Sequence, residues 1–181
     1  MRYHNITTAD MMNGEGLRVV LWLSGCTHCC HKCQNPITWN ENDGLVFDVS
    51  AKQEIFEELE KDYITGITFS GGDPLHENNL DEVLKLINEI RISFPLKDVW
   101  LYSGYTFEQV MYPVVTDDFN PVRDEMINKR RTIVEQCDVF VDGRYVDAQR
   151  DVTAKWRGST NQMVIDVKKS LEQNKVVLYC D

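Results

Sequence analysis

The sequence is short of positive charge, with 19 Lys and Arg against 29 Asp and Glu in 181 residues and a formal net charge of −10. A broad phosphate-binding face would have to be built against that overall field, so nucleic acid is not expected as a partner. Long hydrophobic runs are also missing. No stretch approaches the roughly 18 apolar residues that a membrane span requires, and Met1-Arg2-Tyr3-His4-Asn5 lacks the apolar core of a signal peptide. The expectation is a cytoplasmic protein without a membrane segment. No internal repeat, low-complexity tract or linker interrupts the chain. Hydrophobic residues make up 43% and charged residues 27%, a globular rather than a disordered composition. The length suits one domain over residues 1–181.

Cysteine, by contrast, is concentrated. Of the six, Cys26, Cys29, Cys30 and Cys33 fall within eight residues, while Cys137 and Cys180 stand alone. In a reducing compartment such crowding favours metal or redox chemistry over structural disulfides. Cys137, beside the apolar Val139-Phe140-Val141, reads as a small core residue.

The run Leu17 to Leu23 is apolar and rich in branched and aromatic side chains, as expected of a strand buried on both faces. Further strands are predicted at Ile64 to Phe69, Val99 to Tyr102 and Val139 to Val141. Helices are predicted between them. Ser50 and Gln53 form a capping-box signal for a helix near 51–61. Leu80, Val83, Leu84, Ile87 and Ile90 give the helical stripe for a second, stopped by Pro95. A third starts at Pro121 with Asn120 as its cap. The stretch from Met111 to Asn120 shows no pattern.

Strands alternating with helices imply a mainly parallel sheet, because a parallel connection needs a crossover. The fold class expected is therefore α/β. Four strands are too few to close an eight-stranded barrel, which leaves an open partial (β/α) barrel or curved sheet of mainly parallel strands. Ser24-Gly25-Cys26, Ser70-Gly71-Gly72-Asp73-Pro74, Ser103-Gly104-Tyr105 and Asp142-Gly143-Arg144-Tyr145 each follow a predicted strand. They would thus share the carboxyl edge of the sheet, where α/β proteins build their sites.

The loop Cys26-Thr27-His28-Cys29-Cys30-His31-Lys32-Cys33 can bring three thiolates to one centre. Soft thiolate ligands suit zinc and iron–sulfur clusters alike. Zinc sites usually draw two ligands from each of two separated segments, and no second Cys or His pair follows downstream. A zinc-stabilised interaction module is therefore the weaker reading. Three cysteines on a four-iron cluster leave one iron open to a substrate. Cys26, Cys30 and Cys33 give C-x3-C-x2-C; Cys29 in place of Cys30 gives C-x2-C-x3-C, and spacing alone allows both.

The C-x3-C-x2-C loop resembles the signature of the radical S-adenosylmethionine enzymes. Within them the chain is similar to the glycyl-radical-enzyme activases that serve anaerobic ribonucleoside-triphosphate reductases. That likeness is carried by Asn13-Gly14-Glu15-Gly16-Leu17-Arg18, Ser24-Gly25-Cys26, Ser70-Gly71-Gly72-Asp73-Pro74, Val141-Asp142-Gly143 and Trp156-Arg157-Gly158-Ser159-Thr160-Asn161-Gln162. The resemblance implies a [4Fe-4S] cluster on Cys26, Cys30 and Cys33, and S-adenosyl-L-methionine held near Lys32, Cys33, Gln34 and Gly72. Asp73 and Asn161 are further positions it suggests for the cofactor. Many members carry aromatic residues on either side of the third cysteine; this chain has Lys32 and Gln34.

The implied activity is reductive cleavage of S-adenosylmethionine, with a glycyl radical made on the reductase and electrons supplied by a one-electron donor such as a flavodoxin. Activation of another glycyl-radical enzyme, or action on a metabolite, are the alternatives within the same family. Arg157, Ser159, Asn161 and Gln162 are directional donors whose candidate targets are the cofactor ribose or the partner protein, and Tyr102 to Tyr105 and Arg144-Tyr145 are candidates to line the same edge. The bland readings remain: Gly71-Gly72 as a turn, Asp73 as its cap, His28 and His31 as loop residues, the Arg157 to Gln162 run as a solvated turn, and the edge aromatics as ordinary packing.

Overall fold

The computed structural model describes residues 1–114 and 120–180. It contains a seven-stranded, open mixed sheet in the order β3-β1-β2-β4-β5-β6-β7. The strands are β1 (Arg2–Asp10), β2 (Leu17–Leu23), β3 (Leu45–Val46), β4 (Ile64–Gly71), β5 (Asp98–Tyr102), β6 (Val139–Asp142) and β7 (Met163–Asp166). The predicted strands are the parallel centre, β2-β4-β5-β6. Antiparallel β1 and β7 flank it, and β3 pairs with β1.

The expectation of four strands is therefore corrected to seven. β1 carries only two buried side chains, Tyr3 and Ile6, and its pairing with β2 shifts register twice. Such a strand has no apolar run to read. β3 is two exposed residues, and β7 is a four-residue piece directly behind a polar segment.

Five α-helices lie among the described residues: α1 (Val49–Leu59), α2 (Leu80–Ser93), α3 (Phe107–Met111), α4 (Pro121–Glu135) and α5 (Val167–Gln173). α1 starts earlier than expected, because Asp48 rather than Ser50 is the cap and accepts from the Ala51 N–H. A carboxylate at that position also favours the positive end of the helix dipole. On α2 the fully buried stripe runs through Leu86, with Leu84 half-buried at its flank. Asn120 does cap α4, with Pro121 in the first turn. α3 and α5 were not anticipated; each is one or two turns long and is set by a cap, Thr106 and Asp166. Residues 115–119 of the patternless stretch lie outside the described residues.

Alternation along the parallel strands sorts their side chains onto two faces. Val19, Leu21, Leu23, Ile67, Phe69, Val99 and Leu101 join the helices in the large core. The other face is built differently. It carries a small cluster of Trp100, Val139, Val141 and Val164, and beside it the fully buried Arg18.

Arg18 is satisfied from every side. It donates to Thr68 Oγ1 (2.9 Å), Ile67 O (2.9 Å) and Glu15 O (3.0 Å), pairs with Asp98, and lies 5.1 Å from the Trp100 ring centroid. Burial raises the Asp98 carboxyl, and the guanidinium pulls it back. Thr68 in turn donates to Asn13 O (2.8 Å), which fixes the loop before β2. Gly14 makes this possible: it has φ +136°, and a Cβ there would meet Arg18 Cδ at 2.8 Å.

Arg18→Met is expected to cost about 3 kcal/mol, because it strands buried acceptors and the Asp98 charge. Urea unfolding of the variant beside the parent protein measures it; a change below about 1 kcal/mol, the size of one ordinary hydrogen bond, would refute this account.

Candidate cluster and cofactor site

The cysteine loop is tied at both ends. The Gly25 N–H donates to Thr38 O (2.8 Å) and the Cys26 N–H to Trp39 O (3.0 Å), so the chain leaves β2 and returns to the same point. Across the edge, Gly72 N–H donates to Leu23 O and Asp73 N–H to Gly25 O, both at 2.7 Å. Asn79 Nδ2 bridges Ser24 O and Asp73 O. Inside the loop Cys29 and Lys32 adopt left-handed backbone, φ 47° and 55°, in turns that precede Cys30 and Cys33.

Behind the loop sits Asp73, 1% exposed. Its carboxylate accepts from Leu75 N–H (2.8 Å), Ser103 Oγ (2.9 and 3.0 Å), Gly104 N–H (3.2 Å) and His28 Nε2 (2.6 Å). Arg144 Nε, which can only donate, points at His28 Nδ1 (3.1 Å). Nδ1 is therefore the acceptor and Nε2 carries the proton toward Asp73. The His28 ring packs edge-on to Tyr105 at 4.8 Å, and a Cβ on Gly104 would strike it at 2.3 Å. His28, between Cys26 and Cys30, thereby links the loop to the ends of β4, β5 and β6.

The motif near the C-terminus has a comparable role. Gln162 Nε2 donates to Gly143 O (2.9 Å), Asn161 Nδ2 to Arg144 O (2.8 Å), and Val146 N–H to Ser159 Oγ (3.1 Å). Gln162 Oε1 also accepts from the Gly158 and Ser159 N–H groups. Its polar side chains thus clamp residues 143–146 onto the site rather than waiting in solvent.

These segments enclose a cleft of about 520 Å³ at the carboxyl edge. Cys26, Cys30, Cys33, Gln34 and Gly72 line it. Cys29 does not; it is exposed and faces a second hollow with His31 and Asp147. Lys32 is also exposed and turns outward to Asp147 Oδ2 (2.8 Å). Asp73 lies behind the cleft wall, and Asn161 is spent on Arg144 O. Gly72 has a packing reason to be glycine, since a Cβ would meet Gly25 O at 2.5 Å.

The cleft suits an iron–sulfur cluster by its donors and its charge. Three soft thiols open into it from one loop. Among the described residues, no group of three His, Cys, Asp or Glu side chains is arranged to hold a single metal ion. Burial pushes the Cys26 thiol up to about 11 and raises Cys30 as well, so metal binding has to displace those protons. Arg144, Arg150 and Arg157 stand around the opening with Asp151 as the acidic liner, a positive wall in a chain of net charge −10. Trp39 Nε1, Tyr102 OH and Arg157 Nε line it as well, each buried and without a hydrogen-bond partner. Arg157 belongs to the polar run and Tyr102 to the strand edge that the sequence already singled out; Trp39 was missed, and nothing local in the sequence marks it as facing the same space. Cys137, in contrast, is fully buried away from the cleft and donates to Ile133 O.

Fold and site define an iron–sulfur protein, and the chain belongs to the family described as "4Fe-4S single cluster domain", which matches residues 12–165. More narrowly, it is a member of the anaerobic ribonucleoside-triphosphate reductase-activating proteins. It is 37% identical to the protein of that name from Enterobacteria phage T4 over 164 residues, covering 90% of this chain and 92% of the relative. Identity to the Escherichia coli K12 protein is 37% over 166 residues, and to that of Haemophilus influenzae 34%, each covering 91% of this chain and 97% of the relative.

Asp73→Ala is expected to destabilise the protein by about 3 kcal/mol, since it leaves several buried donors without an acceptor. Amide hydrogen exchange across residues 26–33 should speed up at the same time, because His28 loses its anchor. Unchanged exchange in the loop would show that Asp73 only closes its own turn.

Proposed function

We propose that this chain binds a [4Fe-4S] cluster through Cys26, Cys30 and Cys33, with S-adenosyl-L-methionine at the iron those cysteines leave open. On this reading it activates an anaerobic ribonucleoside-triphosphate reductase. The observation that carries the reading is the opening of those three thiols, with Gly72, into one cleft from which Cys29 is turned away. Held by Cys26, Cys30 and Cys33, a bound cluster would supply, with a one-electron donor such as a flavodoxin, the single-electron reduction needed for cleavage of S-adenosylmethionine to methionine and for hydrogen-atom removal from a glycine of the reductase.

The protein's own residues bind, orient and exclude water. Asp73 and His28 hold the cysteine loop in shape before the cluster arrives. Arg144 and Arg157 face the negative charge of thiolates and of the cofactor's carboxylate. The backbone at Ser70, Gly71 and Gly72 lines the cleft without bulk and can approach the cofactor's amino-acid end. The open sheet is read as a partial (β/α) barrel of the radical S-adenosylmethionine type, with residues 1–181 acting as one domain. Its open side suits a protein loop as target. Met12 and Val152, both lining the cleft, are each 79% exposed and give its mouth an apolar rim.

Protein prepared without air is expected to be brown, with about four irons per chain. Cys30→Ala should lose the iron and Cys29→Ala should keep it; the reverse pattern would reassign the ligands. With dithionite and S-adenosylmethionine, 5′-deoxyadenosine should accumulate. With the reductase added, a glycyl signal should appear in electron paramagnetic resonance. A protein that holds the iron but never forms deoxyadenosine is not a radical enzyme.

A further inference from the structure

Resting on that reading, we propose that Tyr145 supplies the flat face on which the cofactor's adenine stacks, and that Lys32 and Asp147 hold its ring in place. The cysteine loop offers no aromatic for this purpose, because Lys32 and Gln34 flank Cys33. If the methionyl end chelates the cluster, adenine lies only one ribose away, so its platform has to stand beside a cluster cysteine. Tyr145 does: it lines the cleft together with Cys30, and the two residues also share the neighbouring hollow.

The ring is unusually well held for a half-buried tyrosine. Its hydroxyl donates to Asp147 Oδ1 (3.1 Å), and the other oxygen of that carboxylate accepts from Lys32 Nζ (2.8 Å). Lys32 thus stands at the position of a missing aromatic and, across 115 residues of sequence, tethers the aromatic that replaces it. Gly158 packs against the ring: a Cβ there would meet Tyr145 Cδ2 at 3.0 Å and Gln34 Nε2 at 3.5 Å. The clamp from Ser159, Asn161 and Gln162 fixes the backbone on either side of Tyr145. A ring held this way loses little entropy when a base stacks on it.

Other rings at the cleft are less suited. Trp156 is packed by Trp100 (5.0 Å) and Tyr179 (5.9 Å), and Trp22 Nε1 is tied to Thr7 Oγ1 (2.8 Å). Trp39, whose Nε1 is unpartnered, is the rival to be tested.

The test uses the iron-loaded protein and two non-cleavable ligands, S-adenosylhomocysteine and S-ribosylhomocysteine, in the second of which a hydroxyl replaces the adenine. Calorimetry gives the affinity ratio between them, and iron content and thermal melting are measured on every variant. Tyr145→Leu is expected to lower that ratio about tenfold or more, the usual loss when a stacking ring is removed. Tyr145→Phe should keep it within about threefold, because the ring stays and only the tether is lost. Lys32→Ala should behave like Tyr145→Phe.

An unchanged ratio in Tyr145→Leu overturns the proposal, whether or not both affinities fall together through general damage. So does a drop seen in Trp39→Leu but not in Tyr145→Leu. Parent protein that carries the cluster and binds neither ligand would instead remove the cofactor reading on which this one rests.

Discussion

A carboxylate taken out of water costs several kcal/mol unless donors meet its oxygens. Asp73 is met by its own turn after β4, by Ser103 and Gly104 after β5, and by His28 of the cysteine loop. None of these segments can shift without stranding a buried charge. The arrangement of Cys26, Cys30 and Cys33 is held by that constraint before any metal is present. Arg144 extends it to the end of β6 through the second ring nitrogen of His28.

Charge is distributed to the same end. The chain is acidic overall, yet Arg144, Arg150 and Arg157 gather at the cleft, while Arg18 lies buried in the fold. Arg18 is consumed by protein acceptors and serves the architecture. The cleft arginines are more open, and Arg157 Nε has no protein partner. A cleft that gathers thiols in an iron–sulfur protein gains from that division, with one cation spent on the fold and others left facing the cleft.

Legibility followed burial. β2, β5 and β6 are covered on both faces and show as short, mostly apolar runs, while β4 is marked by Ile64, Ile67 and Phe69 among threonines, so their sequence announces them. β1, β3 and β7 lie toward the sheet edges, where a few buried residues suffice, and no run marks them. The misassigned cap of α1 has a local cause: Asp48 and Ser50 both match a helix start, and only the backbone angles decide between them. The same holds for Leu84 and Leu86 on α2, which differ in burial because of what packs opposite.

The amino-acid sequence by itself determined the cysteine loop and the sheet edge, and left open which of its thiols share a space. The clustered cysteines, and the small polar motifs after each parallel strand, are local features that survive without knowledge of the fold. Tertiary structure decided which of those residues share a space. It turned Cys29 out of the cleft, put Asp73 behind the wall, and joined Lys32 to Asp147 and His28 to Arg144 across more than a hundred residues. Contacts at that separation are set by strand order and crossover path, and neither is encoded in the periodicity of any one segment.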